Sequence, residues 1–346
     1  MSKKVKIGNL TIGGGNPIAI QSMATFQVKQ VERAIAECNK LNQIGCDIMR
    51  FSVTDVEDAR SFGLVKKGTD IPLVADIHFD YKLALESIKG GADKIRINPG
   101  NIGSEQGVKQ VALAVKSAGI PVRIGSNTGS IEKDFLEKYG KNEISLGESA
   151  LKQVAIMEKY GVDNLVISVK ASDVPLAIKA YEYVAKKTDY PLHVGVTEAG
   201  TEYSGVIKNA IGIGALLVKG IGDTIRVSLS AEPEREVIAA KSILSALNLK
   251  NDCPKLIACP TCGRCEWDCM SFAKKTEEYL QRFSKPIKVA VMGCVVNGPG
   301  EAKDADLGVA GGKSGVVIFS KGQILKTVSY DQLEQTFFAE VDKCLR

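Results

Sequence analysis

From residue 18 to residue 245 the chain alternates short apolar runs with longer amphipathic segments. The short runs are rich in β-branched residues, which predicts strands. The longer segments, such as 31–45 and 174–188, carry apolar residues at helical spacing, which predicts helices between the strands. The predicted strands are 18–22, 47–52, 72–77, 94–97, 121–125, 164–169, 192–196 and 224–228.

This repeated unit predicts the architecture of the first part of the chain. Eight strand–helix units in about 230 residues fit the number and size of a (β/α)8 TIM-type barrel. A doubly wound open sheet is the alternative that the same alternation allows. We predict an α/β fold in which residues 1–247 form the barrel and bind the substrate.

After Leu247 the alternation stops and a different pattern follows. We predict a small α+β domain over residues 248–346, joined to the barrel by a linker at 248–255. Its predicted elements are a helix ending near 283, a strand at 287–293, a hairpin at 315–328 that turns at Lys321-Gly322, and a helix at 330–345.

Composition excludes several classes of protein. No apolar run approaches the roughly 18 residues that a membrane helix needs, and the N-terminal stretch lacks the apolar core of a signal peptide, so we expect a cytoplasmic protein without a membrane partner. The net charge is +5 and the lysines are scattered, while aromatic residues make up only 6% of the chain. We therefore expect no nucleic-acid partner.

Charged and polar residues lie at the ends of the predicted strands, where barrel enzymes place their active sites. Within each strand they alternate with apolar residues, so they share the face that points into the barrel. The residues in question are Arg50, Asp76, Arg96, Arg123, Asn127, Lys170, Glu198, Arg226 and Ser228.

Five cations that converge in one barrel mouth require an anion, because burying like charges without counterions is costly. Guanidinium groups bind phosphate oxygens in a bidentate manner, so we predict a small phosphorylated ligand. Asp76 and Glu198 are the candidate internal counterions, and either could also act as an acid or base.

The chain has nine cysteines, and six of them fall between Cys253 and Cys294. Clustered cysteines in a large cytosolic protein favour a metal site over disulfides. Cys259, Cys262, Cys265 and Cys269 have the spacing of the bacterial ferredoxin run, which favours an iron–sulfur cluster; zinc is the alternative. A second candidate lies downstream, where Cys294 sits in a loop rich in glycine and proline that also contains Glu301.

Long stretches of this sequence resemble one enzyme family. They are IGGGNPIAIQSM (12–23), PLVADIHFDYKLA (72–84), RINPGNIG (96–103), HVGVTEAG (193–200), GIGDTIRVSLS (220–230), ACPTCGR (258–264) and MGCVVNGPGEA (292–302). In this order they are similar to 4-hydroxy-3-methylbut-2-enyl diphosphate synthase, an iron–sulfur enzyme of the methylerythritol phosphate pathway to isoprenoids. The similarity is to the shorter, two-domain bacterial form.

The resemblance implies a [4Fe–4S] cluster held by three cysteines and one glutamate. The matching positions are Cys259, Cys262, Cys294 and Glu301. Cys265 and Cys269 depart from the family pattern, so the ferredoxin-like spacing is then coincidental. A carboxylate ligand would leave one iron open to a substrate oxygen, whereas a fourth thiolate would give an electron carrier.

The resemblance also implies the reaction, in which 2-C-methyl-D-erythritol 2,4-cyclodiphosphate is reductively opened and dehydrated. The two electrons come one at a time from reduced ferredoxin or flavodoxin. A cyclic diphosphate needs a cationic pocket, and the strand-end residues supply it, with neutral donors beside the cations: Arg50, Arg96, Arg123, Lys170 and Arg226, with Asn127 and Ser228. Glu198 would deliver a proton or orient the hydroxyl group of the substrate.

A head-to-tail homodimer is expected from the direction of the chain, and the resemblance implies the same arrangement. The last barrel helix runs away from the end of the barrel that carries the cations, so the cysteine-rich domain would serve the barrel of a partner. Two other classes stay open from the residues alone: a sugar-phosphate lyase or aldolase with structural zinc, and an iron–sulfur sensor or RNA-binding protein.

Overall fold

The computed structural model describes residues 1–97, 102, 105–251, 253–283, 285–296, 298–312 and 315–345, with the side chain of Pro299 excepted. The chain divides into two compact units, Met1–Leu249 and Lys250–Arg346. No helix in these described ranges is both long enough and apolar enough to cross a membrane.

The first unit is built mainly from alternating strands and helices. Its strands are β1 (Val5–Ile7), β2 (Leu10–Ile12), β3 (Ala19–Met23), β4 (Ile48–Ser52), β5 (Leu73–Ile77), β6 (Lys94–Ile97), β7 (Val122–Asn127), β8 (Leu165–Lys170), β9 (His193–Val194) and β10 (Thr224–Ile225). Its helices are α1 (Val31–Gln43), α2 (Val56–Val65), α3 (Tyr81–Lys89), α4 (Glu105–Ala118), α5 (Lys133–Tyr139), α6 (Glu143–Lys159), α7 (Val174–Ala185), α8 (Glu202–Leu217) and α9 (Pro233–Ala246), and a short 3-10 helix spans Thr128–Ser130.

Strands β3 to β10 form a parallel sheet in the order β8-β7-β6-β5-β4-β3-β10-β9. A further parallel bridge joins Ile167 of β8 to Leu192, which immediately precedes β9, and links the two ends of the sheet. Within the described residues the sheet thus has the eight strands of a TIM-type barrel, which confirms the predicted fold class. Strands β9 and β10 are shorter than the sequence predicts, because the chain leaves the sheet early on its way to the barrel mouth.

The N-terminal hairpin of β1 and β2 seals one end of the barrel, and the sequence pattern did not predict it. Its apolar residues Val5, Ile7 and Ile12 pack on inward-facing residues of the barrel strands, Ala19, Ile48, Val74 and Val166. Each of these side chains is at most 3% exposed. Because this end is filled with apolar side chains, a ligand can enter the barrel only from the carboxyl end of the strands.

The second unit is a small α+β domain, as predicted. Its strands are β11 (Lys255–Ala258), β12 (Lys288–Met292), β13 (Leu307–Gly312), β14 (Gly315–Ser320) and β15 (Gln323–Val328), and its helices are α10 (Cys269–Leu280), α11 (Gly298–Glu301) and α12 (Tyr330–Leu345). The sheet order follows the chain, with β11, β12 and β13 parallel and β13, β14 and β15 antiparallel. Leu333, Phe337 and Val341 of α12 lie in the buried core of the unit.

The predicted hairpin at 315–328 is present, and its turn falls at Lys321-Gly322. Both residues have positive φ, 48° and 78°, as a two-residue turn between twisted strands requires. Strand β13 was not predicted, because its sequence LGVAGG is rich in glycine. The glycine at 311 has a packing reason: a Cβ there would lie 2.1 Å from atoms of the Trp267 ring.

Candidate active site

The charged residues of the barrel strands point to the inside of the barrel. The parallel register pairs Met23 with Arg50, Ser52 with Asp76, and Asp76 with Arg96, and it continues from Arg96 to Arg123 and from Asn127 to Lys170. Residues that are paired in register share a face of the sheet. The structure therefore brings together Arg50, Arg96, Arg123 and Lys170 on the inner face, where Arg226 of the segment after β10 joins them.

Asp76 holds two of the arginines. Its Oδ1 accepts a hydrogen bond from Nη1 of Arg96 at 2.8 Å, and its Oδ2 lies 3.5 Å from Nε of Arg50. Burial alone would raise the pKa of Asp76, but Arg50 and Arg96 outweigh it and hold that pKa well below its usual range. Asp76 is therefore a charged counterion within the cationic pocket, and it fixes the two guanidinium groups in place.

Arg226 has a different counterion, which the sequence analysis did not identify. Its Nη2 lies 3.3 Å from Oε1 of Glu236, a buried residue in the first turn of α9. The same Oε1 accepts a hydrogen bond from the backbone N–H of Leu229 at 2.9 Å. Glu236 thus ties Arg226 to the loop that follows β10, and no pattern within the strands could have revealed a partner on a helix.

Arg123 is the most deeply buried of these cations, and neither Arg123 nor Lys170 has an ion pair with a carboxylate among the described residues. Arg123 is 1% exposed, and its Nε and Nη1 have no hydrogen-bond partner among the described residues. A Cβ at Gly195 would lie 3.1 Å from Nζ of Lys170, and a Cβ at Gly125 would lie 2.9 Å from Nε of Arg96. Glycine at both positions leaves room for the long cationic side chains inside the barrel.

Burial and mutual repulsion destabilise these positive charges in the free barrel. Burial lowers the pKa of Arg50 to about 9, with Arg226 and Arg96 adding to the effect and Asp76 opposing it. Burial and neighbouring arginines also lower the pKa values of Arg123 and Lys170. Guanidinium groups stay protonated in proteins, so the pocket keeps an excess of positive charge that a bound anion would relieve.

Three further predicted residues lie around this pocket, at positions that are less buried than those of the cations. Asn127 ends β7 next to Lys170 in register, and Ser228 lies half-buried in the loop after β10. Glu198 is exposed in the loop after β9 and has a φ of 53°. A non-glycine residue in this region is strained, and such strain concentrates at functional sites. Among the described residues, none is hydrogen-bonded to the side chain of Glu198.

Sequence reasoning also missed two buried ionisable residues, Lys94 and His193, at the starts of β6 and β9. Both are 0% exposed. The Nδ1 of His193 lies 2.8 Å from Oγ1 of Thr224, and its backbone carbonyl accepts a hydrogen bond from the Tyr181 hydroxyl. The available signal was the spacing: Lys94 is two residues before Arg96, so its side chain points to the same inner face.

In the second unit, the predicted metal ligands line one pocket. This cavity of about 190 Å³ lies at the ends of β11 and β12. Its lining residues are Cys259, Pro260, Cys262, Arg264, Met292, Gly293, Cys294, Gly298 and Glu301. The three thiols and the carboxylate come from two loops and from α11, and these parts of the chain converge because β11 and β12 are adjacent and parallel.

Cys265 and Cys269 are not part of this lining. Cys265 donates a hydrogen bond to the Trp267 carbonyl at 3.2 Å, and Cys269 is buried at the start of α10. A Cβ at Gly293 would contact the sulfur of Cys265 at 3.2 Å and that of Cys259 at 3.7 Å. The four cysteines of the ferredoxin-like run therefore differ in surroundings, since Cys259 and Cys262 face the cavity while Cys265 and Cys269 pack against the protein.

The donor set suits an iron–sulfur cluster, which prefers thiolates. Within the described part of the chain, no three Cys, His, Asp or Glu side chains are close enough together to hold a metal ion as they stand. The four residues nevertheless line one cavity on loops rich in glycine. The chemistry of these donors, three thiols and a carboxylate, fits the cluster.

The family models match both units. The GcpE TIM-barrel domain matches residues 2–241, and the GcpE protein C-terminal domain matches residues 255–343. Among solved structures, dihydropteroate synthase from Xanthomonas albilineans covers 71% of this chain and 98% of its own, with a TM-score of 0.51 and 14% identity. Type I 3-dehydroquinate dehydratase from Clostridium difficile covers 71% and 98%, with a TM-score of 0.50 and 17% identity. At these identities the two structures support the barrel fold alone.

Curated relatives match over nearly the full length. The protein from Caldanaerobacter subterraneus subsp. tengcongensis is 52% identical over 100% of this chain and 98% of its own. The protein from Bacillus subtilis is 50% identical over 99% of this chain and 91% of its own. Both are named 4-hydroxy-3-methylbut-2-en-1-yl diphosphate synthase (flavodoxin). On the match of both domains and of these relatives, the chain belongs to the GcpE family.

Proposed function

We propose that this chain converts 2-C-methyl-D-erythritol 2,4-cyclodiphosphate to 4-hydroxy-3-methylbut-2-enyl diphosphate in the biosynthesis of isoprenoid precursors. It is an oxidoreductase of the GcpE family, and its named relatives carry this synthase activity. The observation that carries the proposal is the barrel pocket, in which Arg50, Arg96, Arg123, Lys170 and Arg226 supply more positive charge than Asp76 and Glu236 offset. A cyclic diphosphate carries the negative charge that such a pocket requires.

The substrate binds through its two phosphoryl groups. Guanidinium forks suit phosphate oxygens. Nε and Nη1 of Arg123, which have no hydrogen-bond partner within the described ranges, lie inside the barrel as available donors. Asn127 and Ser228 add neutral donors at the rim. The fixed position of the anion then determines which carbon atoms of the ring face the entrance of the barrel.

The reaction breaks two carbon–oxygen bonds and forms one double bond. The bond from C2 to the diphosphate opens, the hydroxyl group on C3 leaves as water, and a double bond forms between these carbons. One substrate dianion, two electrons and one proton give one product trianion and one water. The barrel must therefore hold a product with more negative charge than the substrate, and it must have access to a proton.

We place a [4Fe–4S] cluster on Cys259, Cys262, Cys294 and Glu301. Support comes from the cavity that these four residues line and from the family resemblance of their motifs. When bound, such a cluster supplies single electrons and, through a carboxylate rather than a fourth thiolate, an iron that accepts an oxygen ligand. Cys265 and Cys269 stay outside the ligand set.

Glu198 is assigned to proton delivery or to orienting the leaving hydroxyl group. Its loop is attached at both sides, since the N–H of Thr197 donates to the carbonyl of Ala171 after β8 and Gly200 accepts from the N–H of Ser230 after β10. This attachment holds the exposed carboxylate at the rim of the barrel in a backbone conformation of about 1–3 kcal/mol strain.

The electron donor is a reduced flavodoxin, with a reduced ferredoxin as the related alternative. The relatives are named for flavodoxin. Both donors, and the thiols of the cluster site, belong to a reducing compartment, so we assign the protein to the cytoplasm.

We further propose a head-to-tail homodimer in which each cysteine pocket serves the barrel of its partner. Strand β10 leads to the pocket at Arg226 and Ser228, and α9 then runs back, so the chain leaves the barrel at the end that the N-terminal hairpin seals. The segment between α9 and β11 could span at most about 30 Å when fully extended. A partner chain avoids the need for this segment to climb the outside of the barrel.

Subunit mixing tests the dimer. Arg123→Ala, assayed at a substrate concentration too low for its weakened barrel, and Cys294→Ser are co-expressed with different affinity tags, and the mixed dimer is isolated. One intact barrel then faces one intact cysteine pocket, so activity should return. Mixed dimers that form but stay inactive would place the site within a single chain.

The activity itself is tested on full-length protein reconstituted anaerobically with iron and sulfide. Reduced flavodoxin and the cyclic diphosphate are added, and the product is identified by mass spectrometry. Formation of 4-hydroxy-3-methylbut-2-enyl diphosphate is expected. A colourless protein that binds zinc and leaves the cyclic diphosphate unchanged would contradict the proposal and favour a barrel lyase.

A further inference from the structure

Below the arginines of the pocket, the barrel contains a second polar layer that the proposed function does not use. It comprises Gln21, Lys94 and His193, with Thr224 beside His193. All are at most 1% exposed. The layer lies toward the sealed apolar end of the barrel, because Lys94 and Thr224 precede the pocket residues Arg96 and Arg226 by two positions, and His193 pairs with Thr224 in register.

Lys94 is the ionisable member of this layer with the least compensation. Its side chain points into the barrel, as that of Arg96 does two residues later, and its register partner on β5 is the apolar Val74. Its Nζ has no hydrogen-bond partner among the described residues. Asp76, the carboxylate on the neighbouring strand, is already bound to Arg96 and lies beside Arg50.

The ionisable groups around Lys94 are mostly positive. Arg123 and Arg50 act on it from β7 and β4, while His193 faces the same interior from β9 and Lys170 from β8. Arg96 shares its own strand, and Asp76 and Glu236 are each engaged by an arginine. Such surroundings disfavour the protonated form of a fully buried amine. In agreement, burial first and Arg123 second lower the pKa of Lys94 well below its usual 10.5.

We propose that Lys94 is uncharged in the free barrel and takes up a proton when a cyclic diphosphate binds to the arginines above it. The identity of this anion rests on the proposed function; the protonation of Lys94 requires only that a phosphoryl anion occupies the pocket. Lys94 is then a positioning residue, which acts on the anion through the field inside the barrel.

The direction of the effect follows from charge. Arginines keep their protons in the free protein, so the repulsion among these groups disfavours the charged forms of the lysines and of His193. A bound dianion reverses the sign of the field and favours the charged amine. Because the product carries one more negative charge than the substrate, the protonated Lys94 also stabilises the product state in the pocket.

Calorimetric titration measures this proton uptake directly. Full-length protein with its cluster is titrated without reductant, at about pH 8, where a free lysine would be charged and only a perturbed one can gain a proton. The titrant is the cyclic diphosphate, and the experiment is repeated in two buffers of different ionisation enthalpy. The difference in binding heat between the buffers gives the number of protons taken up.

Wild-type protein should take up protons, and Lys94→Met should take up about one fewer. Gln21→Met is the matched control, since it places the same side chain in the same layer without removing an ionisable group; its proton uptake should equal that of the wild type. Equal uptake by Lys94→Met and the wild type would overturn the inference.

Two further results keep the test decisive. Zero uptake by the wild type would overturn the inference even if Lys94→Met failed to fold. Inorganic pyrophosphate as a second titrant separates the two proposals: uptake that depends on Lys94 with pyrophosphate, but no binding of the cyclic diphosphate, would support the inference and contradict the proposed substrate.

Discussion

The barrel pocket and the cysteine pocket differ in which parts of the chain supply their residues and in how deeply those residues are buried. The cations of the barrel come from separate strands spread over much of the chain, yet Arg50, Arg96, Arg123 and Lys170 are all buried. The residues of the cysteine pocket come from two short stretches between Cys259 and Glu301, and Cys262 among them is exposed. The first site lies on the strands of a closed sheet, whereas the second lies largely on loops.

The difference is physical. The phosphoryl groups are bound and released in every turnover, so their binding site must be formed before the substrate arrives. A closed sheet can hold the like charges of that site together against their repulsion. A resident cluster forms strong bonds to its ligands, and that binding energy can order flexible loops. We therefore expect substitutions in the barrel pocket to change affinity and protonation, whereas substitutions in the cysteine pocket should change whether the cofactor is present.

The largest expected effect is at the cysteine pocket. Cys294→Ser and Glu301→Ala should lose most of the iron and nearly all activity, because each removes one of four proposed ligands. Cys265→Ser, which changes a cysteine outside the cavity, is the control and should retain both. Iron and acid-labile sulfide per chain are measured after anaerobic reconstitution. Iron loss in Cys265→Ser with iron retained in Glu301→Ala would restore the ferredoxin-type ligand set.

The next effect concerns chemistry at the barrel rim. Glu198→Gln should lower kcat by about 10²–10⁴-fold, the usual contribution of an acid or base, while substrate affinity and iron content change little. Glu202→Gln is the control, since Glu202 is an exposed carboxylate nearby that pairs with Arg235. Steady-state kinetics with reduced flavodoxin measure the effect. An unchanged kcat would mean that Glu198 takes no part in proton transfer or in orienting the hydroxyl group.

A smaller effect is expected for substrate binding. Arg123→Met should weaken binding of the cyclic diphosphate by about 1.5–3 kcal/mol, the value of a charge-assisted hydrogen bond. Folding stability should stay equal or rise, because replacing a buried charge with an apolar side chain removes its desolvation cost. Arg235→Met, at an exposed position, is the control for both. Calorimetry and denaturant unfolding measure the two quantities, and unchanged affinity would place the anion elsewhere.

The comparison also explains what could be predicted from the sequence. Alternation within strands places Arg50, Arg96, Arg123 and Lys170 on one face, because the side-chain period of a strand is two residues. The counterion Glu236 could not be found this way, since it belongs to a helix that follows the strand. Lys94 has the same spacing signal but lies at the start of its strand, away from the end where active-site residues are expected.

In the second unit, spacing alone was a poor guide. Cys-x2-Cys-x2-Cys-x3-Cys predicts a ferredoxin-type cluster, whereas the folded chain turns Cys259 and Cys262 to the cavity and Cys265 and Cys269 into the protein. The direction of each sulfur depends on the turn after β11 and on the start of α10, which local sequence does not determine. The family resemblance placed Cys294 and Glu301 in the set, and the cavity that all four residues line supports that assignment.

The smallest expected effect is on the pH dependence of folding stability, which reports whether Lys94 is charged in the free protein. If Lys94 is uncharged in the folded protein, its pKa there is depressed. Below the ordinary lysine pKa of 10.5 the unfolded chain then binds more protons than the folded protein. The free energy of unfolding of the wild type therefore rises with pH in that range. Lys94→Met removes this dependence. Its stability advantage over the wild type should therefore be largest at lower pH and shrink by up to about 1.4 kcal/mol per pH unit as pH rises. Denaturant unfolding at several pH values between about 7 and 8.5 measures it. The thiols of the unfolded chain begin to ionise in this range, but their linkage is the same in the variant and in the wild type and cancels in the difference. Gln21→Met should differ from the wild type by a constant amount. If Lys94→Met also differs by a constant amount, Lys94 carries its charge in the free barrel, and the barrel compensates its buried cations before any anion binds.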